Sequence, residues 1–148
     1  MQNLFRISKT VNAPLGYVYR WCTDLVYDPV ETSGEPERRL LRKTKRTVIF
    51  VELYEGSDGR QRVGTDILDL KPPSAWHMEY FGEDNDEVGD YRLKKLGSKK
   101  TEILMRFRNH WKNDRLSLTT EEKRRIESDF WDKRLARLES DYTLKGKD

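Results

Sequence analysis

Trp131, Leu135, Leu138 and Tyr142 recur at a spacing that places them on one face of a long C-terminal helix. Ile126 and Phe130 flank this stripe. Thr119 stands three residues before Glu122, the spacing of a capping box at a helix start. An apolar stripe of this length needs a broad apolar surface to cover, and the rest of the chain must supply it.

The preceding residues read as a succession of strands. Residues 4–11 alternate Phe5, Ile7 and Val11 against Arg6, Ser8 and Thr10, the period of a half-buried strand. Pro14 then presets a helical φ. Leu15, Val18, Tyr19, Cys22 and Leu25 follow on one face of a helix too short to stand alone. Residues 27–37, interrupted by Pro, Gly, Ser and Asp, predict a loop with a further helical turn. Strands are expected over 38–45, 47–55, 60–70, 75–81, 88–96 and 101–111. Gly56-Ser57-Asp58-Gly59 reads as a hairpin turn, and Pro72-Pro73 stops a strand. The segment GEDNDE (82–87) reads as a solvated acidic hairpin tip, and GSKK (97–100) as a turn. Such short links favour antiparallel neighbours. The expected architecture is α+β: a curved antiparallel sheet wrapped around the C-terminal helix, with short helices after the first strand. One domain, residues 1–148, is expected.

Charged residues make up 37% of the chain and the mean hydropathy is −0.93, values that lean toward disorder. Four Trp, seven Tyr and five Phe oppose that leaning, because aromatics supply large buried area per residue. The net charge of +3 is a small difference between 29 basic and 26 acidic residues, and does not imply a nucleic-acid partner. The single cysteine, Cys22, reads as a core thiol and fits a reducing compartment. No apolar run is long enough to span a bilayer, and no signal-peptide core is visible, so a cytoplasmic protein is expected.

Several further local patterns occur together. Ala13-Pro14 opens the first helix and Asp24-Leu25 closes it. Pro72-Pro73 precedes Trp76, Gly89-Asp90-Tyr91-Arg92-Leu93 follows, and Gly97 precedes Thr101. With the terminal helix that carries Trp131, these patterns together resemble the SRPBCC superfamily, the START-like or helix-grip proteins that include the polyketide cyclase/dehydrase and lipid-transport group. The resemblance implies a helix-grip fold with a cavity between sheet and long helix, holding an apolar or amphipathic ligand. Fold alone does not fix function.

Strand parity supplies the lining of such a cavity. Met105, Phe107, Asn109 and Trp111 share the side of the last strand expected to face the helix, together with Ile103. Trp76, Met78 and Tyr80 point inward from one neighbouring strand, and Tyr91 from the next. The helix contributes Trp131, Leu135 and Leu138. The middle strands are ambiguous: Val48, Phe50, Glu52 and Tyr54 compete with Ile49, Val51 and Leu53, and Val63, Thr65, Ile67 and Asp69 with Gly64, Leu68 and Leu70. Phe50 joins the expected ligand-binding set. Ordinary core packing with little void is the alternative reading of the whole set.

Catalytic candidates are few. Glu52, if it sits beside inward aromatics, would be a desolvated acid or base, and Tyr54, Tyr80 and Tyr91 are hydroxyls on the same surface. The ordinary reading of Glu52 is a strand glutamate turned to solvent. His77 and His110 fall on the outward face, no ligand spacing supports a metal, and no phosphate loop or dinucleotide fingerprint appears, so no cofactor is expected. The basic run RRLLRKTKR, with Arg38 and Arg46 at its ends, reads as a charged edge strand. Transient contact with a membrane surface is its functional reading, whereas specific nucleic-acid recognition lacks a stacking platform.

The functional expectation is binding or transport of an apolar or amphipathic small molecule. The alternatives are a cyclase/dehydratase-type enzyme using a cavity tyrosine or Glu52, and a surface module resembling chaperone-ATPase activator domains. A buried titratable group in the cavity favours the enzyme; a filled-in core favours the surface module.

Overall fold

The computed structural model describes residues 2–24, 37–56 and 58–145. Among them are seven strands: β1 (Gln2–Val11), β2 (Glu37–Lys43), β3 (Thr47–Glu55), β4 (Gln61–Lys71), β5 (Ala75–Gly82), β6 (Asn85–Gly97) and β7 (Lys100–Trp111). They form one antiparallel sheet in the order β1-β7-β6-β5-β4-β3-β2. Helix α1 (Leu15–Thr23) follows β1, and α2 (Thr120–Lys145) closes the chain. The α+β architecture expected from the sequence is the one observed. Leu25, Ser57 and nearly all of the expected 27–37 loop lie outside the described residues.

Local chemistry sets the boundaries. Thr119 caps α2: its hydroxyl accepts from the Glu122 N–H at 3.1 Å and donates to the Glu122 carboxylate at 2.9 Å. Gly59, with φ of 78°, takes the left-handed conformation that closes the β3–β4 hairpin. β6 begins at Asn85, earlier than expected, so most of the predicted acidic tip is strand.

The two helices are fastened to one side of the sheet. Lys9 on β1 meets Asp132 and Ser128 of α2, each at 2.7 Å, and the Asn12 N–H donates to Glu139 at 2.7 Å. The Trp21 indole of α1 donates to Asp141 at 2.9 Å, and the Arg134 guanidinium lies over both Trp21 and Trp131. Phe5 stacks on Phe107 at 5.1 Å, and Leu135 and Leu138 are buried with them in the core. The helix therefore packs closest to β1, and space remains over the other strands.

Candidate functional site

That space is a cavity of about 680 Å³ between α2 and the inner face of β2 to β6. Its inner wall is aromatic. Trp76 on β5 and Tyr91 on β6 stack at 4.8 Å with their planes 9° apart, a cross-strand pair set by their direct register. Trp131 of α2 closes on Tyr91 at 5.8 Å, and Tyr19 of α1 meets the Trp76 edge at 5.9 Å. Phe50, Met78 and Phe130 extend this wall.

The other end is polar and acidic. Tyr80 donates to the Tyr54 hydroxyl at 2.8 Å, and burial raises the pKa of both phenols, so both stay protonated. Arg38 of β2 reaches inward to Glu52 of β3 at 3.2 Å. Lys123 of α2 lies 3.2 Å from Glu87 of β6 and 3.8 Å from Glu127. Asp66 of β4 is only 3% exposed, and its Oδ2 has no hydrogen-bond partner. Burial, with Glu52 beside it, pushes the Asp66 carboxyl up to about 9. Burial and the neighbouring Glu87 likewise push Glu127 up to about 7. The cavity thus presents carboxyl groups that hold protons near neutral pH.

The structure brings together some of the residues expected from the sequence and separates others. Phe50, Trp76, Met78, Tyr80, Tyr91 and Trp131 line the cavity, as do Glu52, Tyr54, Tyr80 and Tyr91 of the catalytic candidates. Met105, Phe107, Leu135 and Leu138 do not; they are buried core beneath the close approach of α2. Asn109 and Trp111 are also outside it. Asn109 is fully buried in a side-chain network with Asn3 and Asn85, and the Trp111 indole donates to Asn3 at 2.6 Å. Asn3 continues to Leu118 and Thr120 at the start of α2. Parity placed these residues on the correct face, but α2 rests directly on that part of it.

Two further expectations are corrected. Glu52 is turned into the cavity and not to solvent, because the Val48–Phe50–Glu52–Tyr54 face of β3 is the inner one. The segment 82–87 is not wholly a solvated tip, since Asn85 and Glu87 are buried on β6. In β4, where parity left both faces open, the inner set is Gly64, Asp66 and Leu68, while Val63 and Asp69 are exposed. The basic run does lie on the edge strand β2, but Arg38 is its inward member. His77 is on the outer face, 2.7 Å from Asp90, and His110 is exposed. Cys22 is buried, and burial raises its thiol pKa to about 11.

Sequence reasoning missed Asp66, Glu87, Lys123, Glu127 and Arg134. A signal existed for Asp66: it shares parity with Gly64 and Leu68 of the inner set. The cations of α2 carried none, because charge on a helix ordinarily marks the solvent face.

No protein-family model matches the chain. No curated protein matches it either. Among solved structures it is similar to the Zhui aromatase/cyclase from Streptomyces sp. R1128, at 16% identity and a TM-score of 0.73, over 95% of this chain and 96% of that one. It is similar to TTHA0849 from Thermus thermophilus, at 10% identity and a TM-score of 0.71, over 98% and 99% of the two chains. Ara h 8.0201 matches at 13% identity and a TM-score of 0.69, over 97% and 99%. Identities this low speak to architecture alone. The chain has the helix-grip fold, a curved antiparallel sheet closed over a long C-terminal helix.

Proposed function

We propose that this protein binds a small molecule with an aromatic or flat apolar body and a polar end in the cavity beneath α2. One observation carries the reading: a stacked Trp76–Tyr91 wall and a carboxyl–tyrosine cluster face the same 680 Å³ space. An apolar wall with a few fixed polar groups is the chemistry of ligand pockets. The unfilled interior also argues against the surface-module reading, which asked for a packed core. Cytoplasmic residence remains the companion proposal, supported by the lone buried thiol.

The test is a thermal-shift screen of quinones, sterols, fatty acids and aromatic polyketides, followed by tryptophan fluorescence. A compound at a hundredfold excess over its dissociation constant stabilises the folded state by about 2.7 kcal/mol. Met78→Trp, which fills the cavity, is expected to weaken that compound more than it weakens the fold. A protein stabilised by none of these compounds, and by no aromatic amine, would end the binding reading.

The unpartnered Asp66 Oδ2 favours a second reading, acid–base catalysis on the bound molecule. A carboxyl protonated at neutral pH can protonate a departing hydroxyl while Glu52 accepts the α-proton of a β-hydroxyketone. The C–H and C–O bonds break, a C=C bond forms and water leaves. The Zhui protein, an aromatase/cyclase of the same fold, supports this reading by analogy. Incubation with 4-hydroxy-4-phenylbutan-2-one should give conjugated enone absorbance that Asp66→Asn abolishes; no enone from wild type sinks it.

A further inference from the structure

Acidic groups outnumber basic ones around the cavity, although the chain as a whole carries a net charge of +3. Four carboxyl groups from different elements, Glu52, Asp66, Glu87 and Glu127, face it together with the cations Arg38, Lys123 and Arg134. The cations are already engaged. Arg38 pairs with Glu52, Lys123 with both Glu87 and Glu127, and Arg134 lies over two indoles. An anionic ligand would have to compete with these carboxylates for Arg38 and Lys123, in surroundings that screen repulsion poorly.

Asp66 is the carboxyl left over. It is buried, lines the cavity and holds its proton against Glu52, and no donor among the described residues reaches its Oδ2. A buried polar atom without a donor loses its hydration uncompensated, a deficit that a donor on a ligand would remove. Glu52 beside it adds negative potential and supplies no donor of its own when ionised. Among the described residues, no group of three His, Cys, Asp or Glu side chains is placed to hold a metal ion. An organic cation suits this arrangement, with its apolar body lying along the Trp76–Tyr91 wall.

Resting on the small-molecule binding reading above, we infer that the ligand is an aromatic amine whose ammonium group is received by Asp66 and Glu52. Asp66 releases its proton to solvent as the ammonium binds, and the positive group then donates to both carboxylates. A carboxylate-tailed molecule of the same shape has no donor to offer Asp66 and Glu52.

The experiment is calorimetric titration with three molecules that share a naphthalene body: 2-(1-naphthyl)ethylamine, 2-(1-naphthyl)ethanol and 1-naphthylacetate. The amine is expected to bind at least tenfold tighter than the alcohol, and the carboxylate weakest. Asp66→Asn should bring the amine's affinity down to that of the alcohol. Alcohol or carboxylate binding as tight as the amine overturns the inference and leaves the binding reading standing. So does a wild-type protein that ignores all three but takes a neutral compound from the broader screen. Silence in both experiments removes the binding reading as well. The wild-type comparison decides the matter even if the Asp66 variant fails to fold.

Discussion

Tyr80 on β5 donates a 2.8 Å hydrogen bond to the Tyr54 hydroxyl on β3, and its ring reaches there by lying across Gly64 of the intervening β4. The ring also covers Gly82, the residue paired with Gly64. Two glycines thus make the bed for the side chain that forms one polar wall of the cavity.

Gly64→Ala is therefore expected to destabilise the protein by about 1–3 kcal/mol, the usual range for overpacking, since a Cβ there would overlap the Tyr80 ring. Tyr80→Ala in the same chain removes the overlapped ring. The double variant should then be more stable than the sum of the two single losses implies, by more than about 0.5 kcal/mol. Urea unfolding of the four proteins measures this coupling; strict additivity would mean the ring does not lie over Gly64.

Leu135 joins α2 to the core on the side where the helix sits closest to the sheet. Leu135→Ala should cost about 2–5 kcal/mol through lost burial and the space left behind. Leu135→Asp should unfold the domain or expose the core to a hydrophobic dye. A Leu135→Asp protein with wild-type stability would contradict the grip of sheet on helix.

Asp66 makes stability depend on pH with a definite sign. Its folded pKa of about 9 lies above the ordinary aspartate value of 3.8, so between those limits the folded state holds a proton that the unfolded chain has lost. This contribution falls as pH rises through that window, by at most about 1.4 kcal/mol per unit for one site. Asp66→Asn is expected to be the more stable protein above about pH 4, with the gap widening toward pH 9. Unfolding midpoints of both proteins at several pH values check it; parallel curves would show that Asp66 is not buried as described.

Cys22 should behave as a silent thiol. It is buried and its pKa is pushed up to about 11, mainly by burial, so little thiolate exists at neutral pH. A disulfide-exchange reagent is expected to leave it untouched in the native protein and to label it at the rate of global unfolding. Rapid labelling under native conditions would place Cys22 at an open surface.

Period-two alternation, proline and glycine punctuation and the helical stripe determine the order of elements, because each reports a residue's immediate neighbours. From them come the antiparallel sheet, the capped α2, the inward Trp76, Tyr91 and Trp131, and the outward His77 and His110. Parity says which face a side chain occupies, but not whether the opposing helix rests on it or stands clear. That depends on how Lys9, Asn12 and Trp21 fasten α2, contacts made across more than a hundred residues of chain. Only the tertiary structure therefore assigned Phe107 and Asn109 to the packed side and Phe50, Glu52 and Asp66 to the open one. It alone also produced the acidic cavity. Asp66, Glu87 and Glu127 are ordinary charged residues in the sequence, and become a site because three separate elements bury them around one space.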